Sequence, residues 1–218
     1  MGNSYRYCTA CMKAKVACVC TWVSPQKNSY PFLVLQHLDE RKKPLGTAKL
    51  LTMGLEDATL LSGLDFSAEI IHQTLRQFNC HQPILLYPKT FDTSPFHLNF
   101  DLSTPKTEKH NLNSAGLSGN FDCVILLDGT WRNTRELLLC NAWLKDLPTL
   151  ALQNVGESRY RIRKTKGQGE LATIEAAAKL LSILEDDFST DDLLRPFEKM
   201  IQYQISKMGL ALYKQNYQ

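Results

Sequence analysis

Residues 121–131 read FDCVILLDGTW. Cys123, Val124, Ile125, Leu126 and Leu127 form an unbroken apolar run. A strand with one wet face would alternate, so a strand here is covered on both sides. It stops at Asp128 and Gly129, and from Trp131 a helical pattern runs to about residue 143. A doubly covered strand feeding straight into a helix is the repeating unit of an α/β fold with a mainly parallel sheet. Asp128 leaves that strand at its carboxyl end, where ligands of such sheets sit. A carboxylate there is costly unless it is hydrogen-bonded or functional. Gly129 permits close backbone approach by a ligand. Trp131 fits either the wall of a pocket or the core. Capping of the helix by Asp128 or Thr130 explains these residues as well as a binding site does.

Working outward, residues 32–36 read as a strand ending at His37, residues 84–87 as one stopping at Pro88, and residues 149–152 as one entered from Pro148. Helical spacing runs from about Thr47 through Leu50, Leu51, Leu55, Ala58 and Leu61. Further helices are expected at 68–78, 170–184 and 191–208, the last with Pro196 near its start. Residues 89–120, rich in Ser, Thr, Asn, Pro and Lys, read as a loop or insertion. Three strand ends carry unusual residues: Leu86-Tyr87-Pro88, Leu127 to Trp131, and the turn after Leu152 that leads through a basic loop to Thr173 and Glu175.

With 218 residues, 44% hydrophobic composition and a formal charge of +3, the chain suits one sizeable domain with a small appendage. The charge permits a nucleic-acid partner without demanding one. No apolar run reaches the length of a membrane span, and the first residues lack the apolar core of a secretory signal, so a cytoplasmic, membrane-free protein is expected. Gly-x-Gly-x-x-Gly and Gly-Lys-Thr loops are missing from the sequence, which removes support for nicotinamide and nucleoside-triphosphate enzymes. His37, His72, His81, His97 and His110 show no ligand spacing. Trp22 and Trp143 fit core or interface positions.

Four of seven cysteines lie within the first twenty residues: Cys8 and Cys11 two residues apart, Cys18 and Cys20 one apart, with six residues between the pairs. Four soft thiolates at this spacing suit a closed tetrahedral zinc site, structural because no position stays open for substrate. Four reduced thiols without metal are the alternative. Lys13 and Lys15 would stand on that knuckle, within reach of phosphate. Cys80, Cys123 and Cys140 are expected to be buried thiols. The run Arg159, Arg161, Arg163, Lys164 and Lys166 is either a solvated loop or a phosphate contact.

Asp128-Gly129-Thr130-Trp131 resembles the motif that names the DTW-domain family, the tRNA-uridine aminocarboxypropyltransferases. Other pieces fall in that family's order. The Cys-rich head is similar to its zinc-binding start. Leu35-Gln36-His37 and residues 43–51 with Thr47 resemble its early block, and residues 84–88 its short strand ending in Tyr-Pro. Residues 158–163 (SRYRIR) and 171–177 (LATIEAA) resemble its two late blocks. Leu38 and Gly46 stand where the family often has Pro and Asn. The likeness covers most of residues 8–182.

The resemblance implies a SPOUT-like α/β fold with a C-terminal trefoil knot, a four-cysteine zinc segment over residues 1–30 and a catalytic domain over 31–218. It implies S-adenosylmethionine as co-substrate, held around Leu86, Tyr87, Pro88, Leu127, Asp128, Gly129, Thr130, Trp131, Leu152, Tyr160, Thr173 and Glu175. It implies tRNA as partner, contacted by Lys13, Lys15, Arg159, Arg161, Arg163 and Lys164, with a monomer favoured over a dimer. The reaction implied is displacement at the γ-carbon of the methionine moiety by uridine N3, releasing 5′-methylthioadenosine, with Asp128 as proton acceptor. Competing readings are modification of ribosomal RNA from the same pocket and a zinc-knuckle RNA-binding protein without activity.

Overall fold

The structure is a computed structural model that describes residues 6–88, 91–101, 121–162 and 171–217. Six strands form one parallel sheet: β1 (Phe32–His37), β2 (Ala58–Gly63), β3 (Pro83–Leu86), β4 (His97–Asp101), β5 (Cys123–Asp128) and β6 (Thr149–Gln153). Their order across the sheet is β2-β1-β5-β3-β6-β4. Helices α1 (Ala48–Gly54), α2 (Ala68–Gln77), α3 (Trp131–Cys140), α4 (Thr173–Leu184), α5 (Thr190–Met208) and α6 (Leu210–Tyr217) complete the chain. No helix among the described residues is long and apolar enough to cross a membrane.

The period of two along each strand divides the core. Phe32 and Val34, Ile84 and Leu86, Val124 and Leu126, and Leu150 face one layer, where they meet apolar residues of α1, α4 and α5. Leu33 and Leu35, Leu85, Cys123 and Ile125 face the other, against Ile71 and Leu75 of α2 and Leu137 and Leu138 of α3. This is why β1, β3 and β5 read as continuous apolar runs: both faces are buried. The same parity decides the end of the sheet. Gln36 and Asp128 follow Val34 and Leu126 onto the α4 side, and they are paired in register across β1 and β5. His37 turns to the other side, where Glu136 of α3 lies 3.3 Å from its Nε2. The amide of Asp39 donates to His37 Nδ1, so the proton sits on Nε2 and the buried ring is a structural tie.

Three expectations are corrected. The helical pattern from Thr47 stops at Gly54, and Ala58 and Leu61 belong to β2, a strand at the edge of the sheet. Pairing of β2 with β1 is non-local and wins over a spacing that fits either structure. Residues 97–101, inside the expected loop at 89–120, form β4 at the opposite edge and pair with β6. Its polar alternation, His97, Leu98, Asn99, Phe100, buries Phe100 and looks like loop composition when read alone. Residues 89–90 and 102–120 lie outside the described residues. Cys80 and Cys123, expected as thiols, form a disulfide, with their Cα atoms 6.0 Å apart. Pro83 and Cys123 are register partners at the start of β3 and β5, which carries the two cysteines together from 43 residues apart. Cys140 is exposed, not buried.

Candidate active site

Strand order reverses beside β1: the chain goes from β1 to β2 on one side, then to β3 on the other. In an open parallel sheet the crevice outside such a switch point takes the ligand. Asp128 ends β5 at this point, 6% exposed. One carboxylate oxygen accepts from Gln36 Nε2 at 2.9 Å and the other from the Thr173 hydroxyl at 2.5 Å. Gln36 Oε1 in turn accepts from the Ser62 hydroxyl at 2.9 Å. A polar chain therefore crosses β2, β1 and β5 and closes on the first residue of α4. Burial pushes the Asp128 pKa up, opposed by the hydrogen bonds from Thr173 and Gln36. Gln36 and Ser62 did not stand out as site residues in the sequence. The signals at Gln36 were a polar residue in the parity of Phe32 and Val34 and its place in the Leu35-Gln36-His37 block.

Glu175, 2% exposed, lies in the first turn of α4. Its carboxylate accepts from the Ser158 hydroxyl at 2.7 Å, the Arg159 amide at 2.6 Å and the Ala172 amide at 2.9 Å. It holds both ends of the basic loop onto the helix. Tyr160, expected at the cofactor, donates its hydroxyl to the Leu45 carbonyl at 3.1 Å and meets Phe197 edge-on. The loop after β6 is thereby tied to the loop after β1. Glu175→Gln places an amide against N–H donors that need an acceptor. It is expected to cost about 1–3 kcal/mol, read as a lower urea midpoint at unchanged slope.

At the end of β3, Leu86 is buried, Tyr87 half-buried and Pro88 exposed. The Tyr87 ring stacks on Phe91 at 5.6 Å and meets Trp131 edge-on at 6.4 Å. Trp131 is 54% exposed, so it is not a core residue. Thr130 caps α3, accepting from the Asn133 amide at 3.2 Å. A side chain at Gly129 would meet Asn133 Cβ at 2.8 Å, so the close approach that requires glycine there is made by the first turn of α3. Leu127 and Leu152 are partly buried on opposite layers.

The basic residues divide. Lys13 is 5% exposed, and its ammonium donates to the carbonyls of Pro44 at 2.7 Å and Gly46 at 3.0 Å. Burial holds its pKa down to about 8. It is not the phosphate contact expected of it; it clamps the loop after β1. Lys13→Met leaves two carbonyls without their donor and is expected to cost about 1–3 kcal/mol of unfolding free energy, measured by urea denaturation. Lys15 is exposed. Arg159 is bound to Asp191 at 3.1 Å and Glu198 at 2.6 Å on α5. Arg161 is exposed, and Arg163, Lys164 and Lys166 lie outside the described residues.

The four N-terminal sulfurs converge, all within 4.8 Å of one another, with Cys8 and Cys20 at 3.6 Å and Cys11 and Cys18 at 3.8 Å. None is in a disulfide. A tetrahedron with metal–sulfur bonds of about 2.3 Å has sulfur–sulfur edges of about 3.8 Å. The donor set and its spacing therefore fit a zinc ion. A tight turn builds the cage, with Met12 in the left-handed region at φ 60 and the Cys8 amide bonded to the Lys13 carbonyl at 2.8 Å. Backbone N–H groups of Cys11 and Ala10 pull the Cys8 thiol down to about 6, while burial pushes Cys20 up.

The parallel sheet, with a buried carboxylate at its switch point, defines an α/β protein of the class whose ligands bind at the carboxyl edge. The DTW domain matches residues 5–205, and the chain belongs to that family. Among similar proteins is tRNA-uridine aminocarboxypropyltransferase 2 of Drosophila melanogaster, 29% identical over 93% of this chain and 76% of its own length. The proteins of the same name from Macaca fascicularis and Mus musculus are 25% and 27% identical over 91% of this chain. The chain spans 63% of each of those two, under two thirds of their length. No solved structure matches.

Proposed function

We propose that this chain transfers the 3-amino-3-carboxypropyl group of S-adenosylmethionine to N3 of a tRNA uridine. The observation that carries the reading is the buried Asp128 at the switch point, inside the motif of a family whose matched members are named for this reaction. S-adenosylmethionine, when bound, supplies an electrophilic γ-carbon beside a sulfonium and a thioether leaving group. The residues present fit it: apolar Leu86, Leu127 and Leu152 at three strand ends, the half-exposed ring of Trp131 at the start of α3, and the Asp128 carboxyl group at the end of β5.

Asp128 accepts the N3 proton of the uridine. Each of its oxygens already takes one hydrogen bond and keeps a second lone pair for that proton. A pKa raised by burial moves the carboxylate toward the range a general base needs. Gln36 and Thr173 hold it in one orientation. Glu175 shapes the neighbouring loop and leaves the chemistry to Asp128. The knuckle holds zinc as a structural ion. The SPOUT-like trefoil knot is part of this reading, supported by the order β5-β3-β6, in which two later strands flank an earlier one. A crystal structure tracing the connection from β6 to α4 tests it.

The deciding experiment is mass spectrometry of nucleosides from unmodified tRNA incubated with the protein and S-adenosylmethionine. Gain of the aminocarboxypropyl mass with release of 5′-methylthioadenosine is expected. A methyl gain, or no gain across a full tRNA pool, overturns the reaction.

A further inference from the structure

A groove of about 360 Å³ lies between the cysteine knuckle and α5, away from the carboxyl-edge site. Val16 and Trp22 form one wall, and Lys199, Gln202, Tyr203 and Ser206 form the other. Those four residues recur at the spacing of a single helix face. The size is that of a small-ligand cleft.

The groove is lined in an unusual way for a surface cleft. Trp22, expected in the core or an interface, is 43% exposed, and Val16 is 80% exposed. Lys199 Nζ stands 4.7 Å over the Trp22 ring, and Lys207 Nζ stands 5.5 Å over Tyr203. Gln202 is exposed, and its amide has no protein partner among the described residues. The knuckle side of the groove is basic, and on the α5 side Glu198, which precedes Lys199, is paired with Arg159. Residues 6–38 contain Arg6, Lys13, Lys15 and Lys27 and no acidic side chain. Residues 199–218 contain Lys199, Lys207 and Lys214 and no acidic side chain.

From this juxtaposition we infer that the groove binds an unpaired nucleotide of the RNA substrate, its base on the face of Trp22 or Tyr203 and its phosphate on Lys199 and Lys207. Aromatic faces beside mobile cations are how proteins hold single-stranded nucleic acid, because every base has a face to stack. The contacts of Lys199 and Lys207 with the rings are weak at exposed positions, so a base displaces them and the ammonium groups move to phosphate. The Gln202 amide offers both a donor and an acceptor to a base edge. The groove thereby supplies the RNA contact that Lys13 and Arg159, committed to partners within the chain, do not.

The inference rests on an RNA substrate but not on the reaction. Its test is filter binding of unmodified tRNA to the full chain and to Trp22→Ala, Tyr203→Ala and Lys199→Gln, with zinc content and thermal midpoint checking that each variant is folded. Affinity is expected to fall at least about fivefold in the variant that removes the ring holding the base. In Lys199→Gln the slope of log K against log salt is expected to fall by about one. Affinities within about twofold of the parent in folded variants, against the expected loss of stacking, overturn the inference and leave the groove to a protein partner. A parent chain with no affinity for tRNA overturns it as well. Failure of the proposed reaction shows separately, as tRNA binding that depends on the groove with no aminocarboxypropyl product.

Discussion

Asp128→Asn is expected to slow aminocarboxypropyl transfer by about 10²–10⁴-fold while leaving the thermal midpoint of the protein unchanged or higher. The two halves of that expectation come from the same environment. Asp128 is 6% exposed, and burial raises its pKa above the ordinary carboxylate range. Between that range and the raised value, the folded chain holds a proton that the unfolded chain has released. Stability therefore falls as pH rises through this window, and the ionised form of the group is a cost to folding. Asparagine removes the cost and keeps the shape. Its carbonyl still accepts from Thr173. Its amide donates to Gln36 once the Gln36 side chain flips, and the flipped Gln36 donates to Ser62, whose hydroxyl also accepts. No polar group is left unpaired. The measurement is initial rate at saturating tRNA, affinity for S-adenosylmethionine by calorimetry, and a thermal melt of each protein. Retained turnover sinks the role of general base. Equal losses in turnover and cofactor affinity assign Asp128 to binding instead.

Cys11→Ser is expected to abolish stoichiometric zinc and to lower unfolding free energy by about 3 kcal/mol or more. Cys11 is 1% exposed and lies in the main core cluster with Val19, so the knuckle is continuous with the packing of α1 and α5. A segment this short has little apolar surface of its own, and a structural metal supplies the free energy that burial does not. Loss of the cage also frees Lys13, which clamps the carbonyls of Pro44 and Gly46 in the loop after β1. The damage therefore spreads toward the Gln36 end of the site. Zinc by elemental analysis and a urea titration check both halves. Cys140→Ser, at an exposed cysteine outside the cluster, is the control and is expected to change neither. A parent protein that takes up no zinc when titrated under reducing conditions excludes the metal.

Much of the site was legible because its chemistry violates the pattern around it. A carboxylate closing a five-residue apolar run has few readings, and Asp128 sits where that run said it would. The cysteine cluster was legible for a different reason: short spacing keeps four thiols near one point however the rest of the chain folds. Glu175 was visible as a carboxylate in the first turn of a helix, but the three donors it gathers come from residues 158, 159 and 172 and appear only when the loop closes. Lys13 and Arg159 show the opposite failure. A lysine or arginine in a basic stretch reads as surface, yet one is buried on two carbonyls and the other is held by two carboxylates of α5.

The sequence by itself determined the α/β class, the positions of β1, β3, β5 and β6, the four-cysteine cluster and the acid at the end of β5. All of these depend on residues close together in the chain, where period and spacing act directly. The tertiary structure alone decided the edge strands β2 and β4, the Cys80–Cys123 pairing, the Ser62–Gln36–Asp128–Thr173 chain and the groove beside Trp22. Each of these joins segments distant in sequence through strand register or helix packing, and the free energy that selects them is released only when the sheet and its layers assemble.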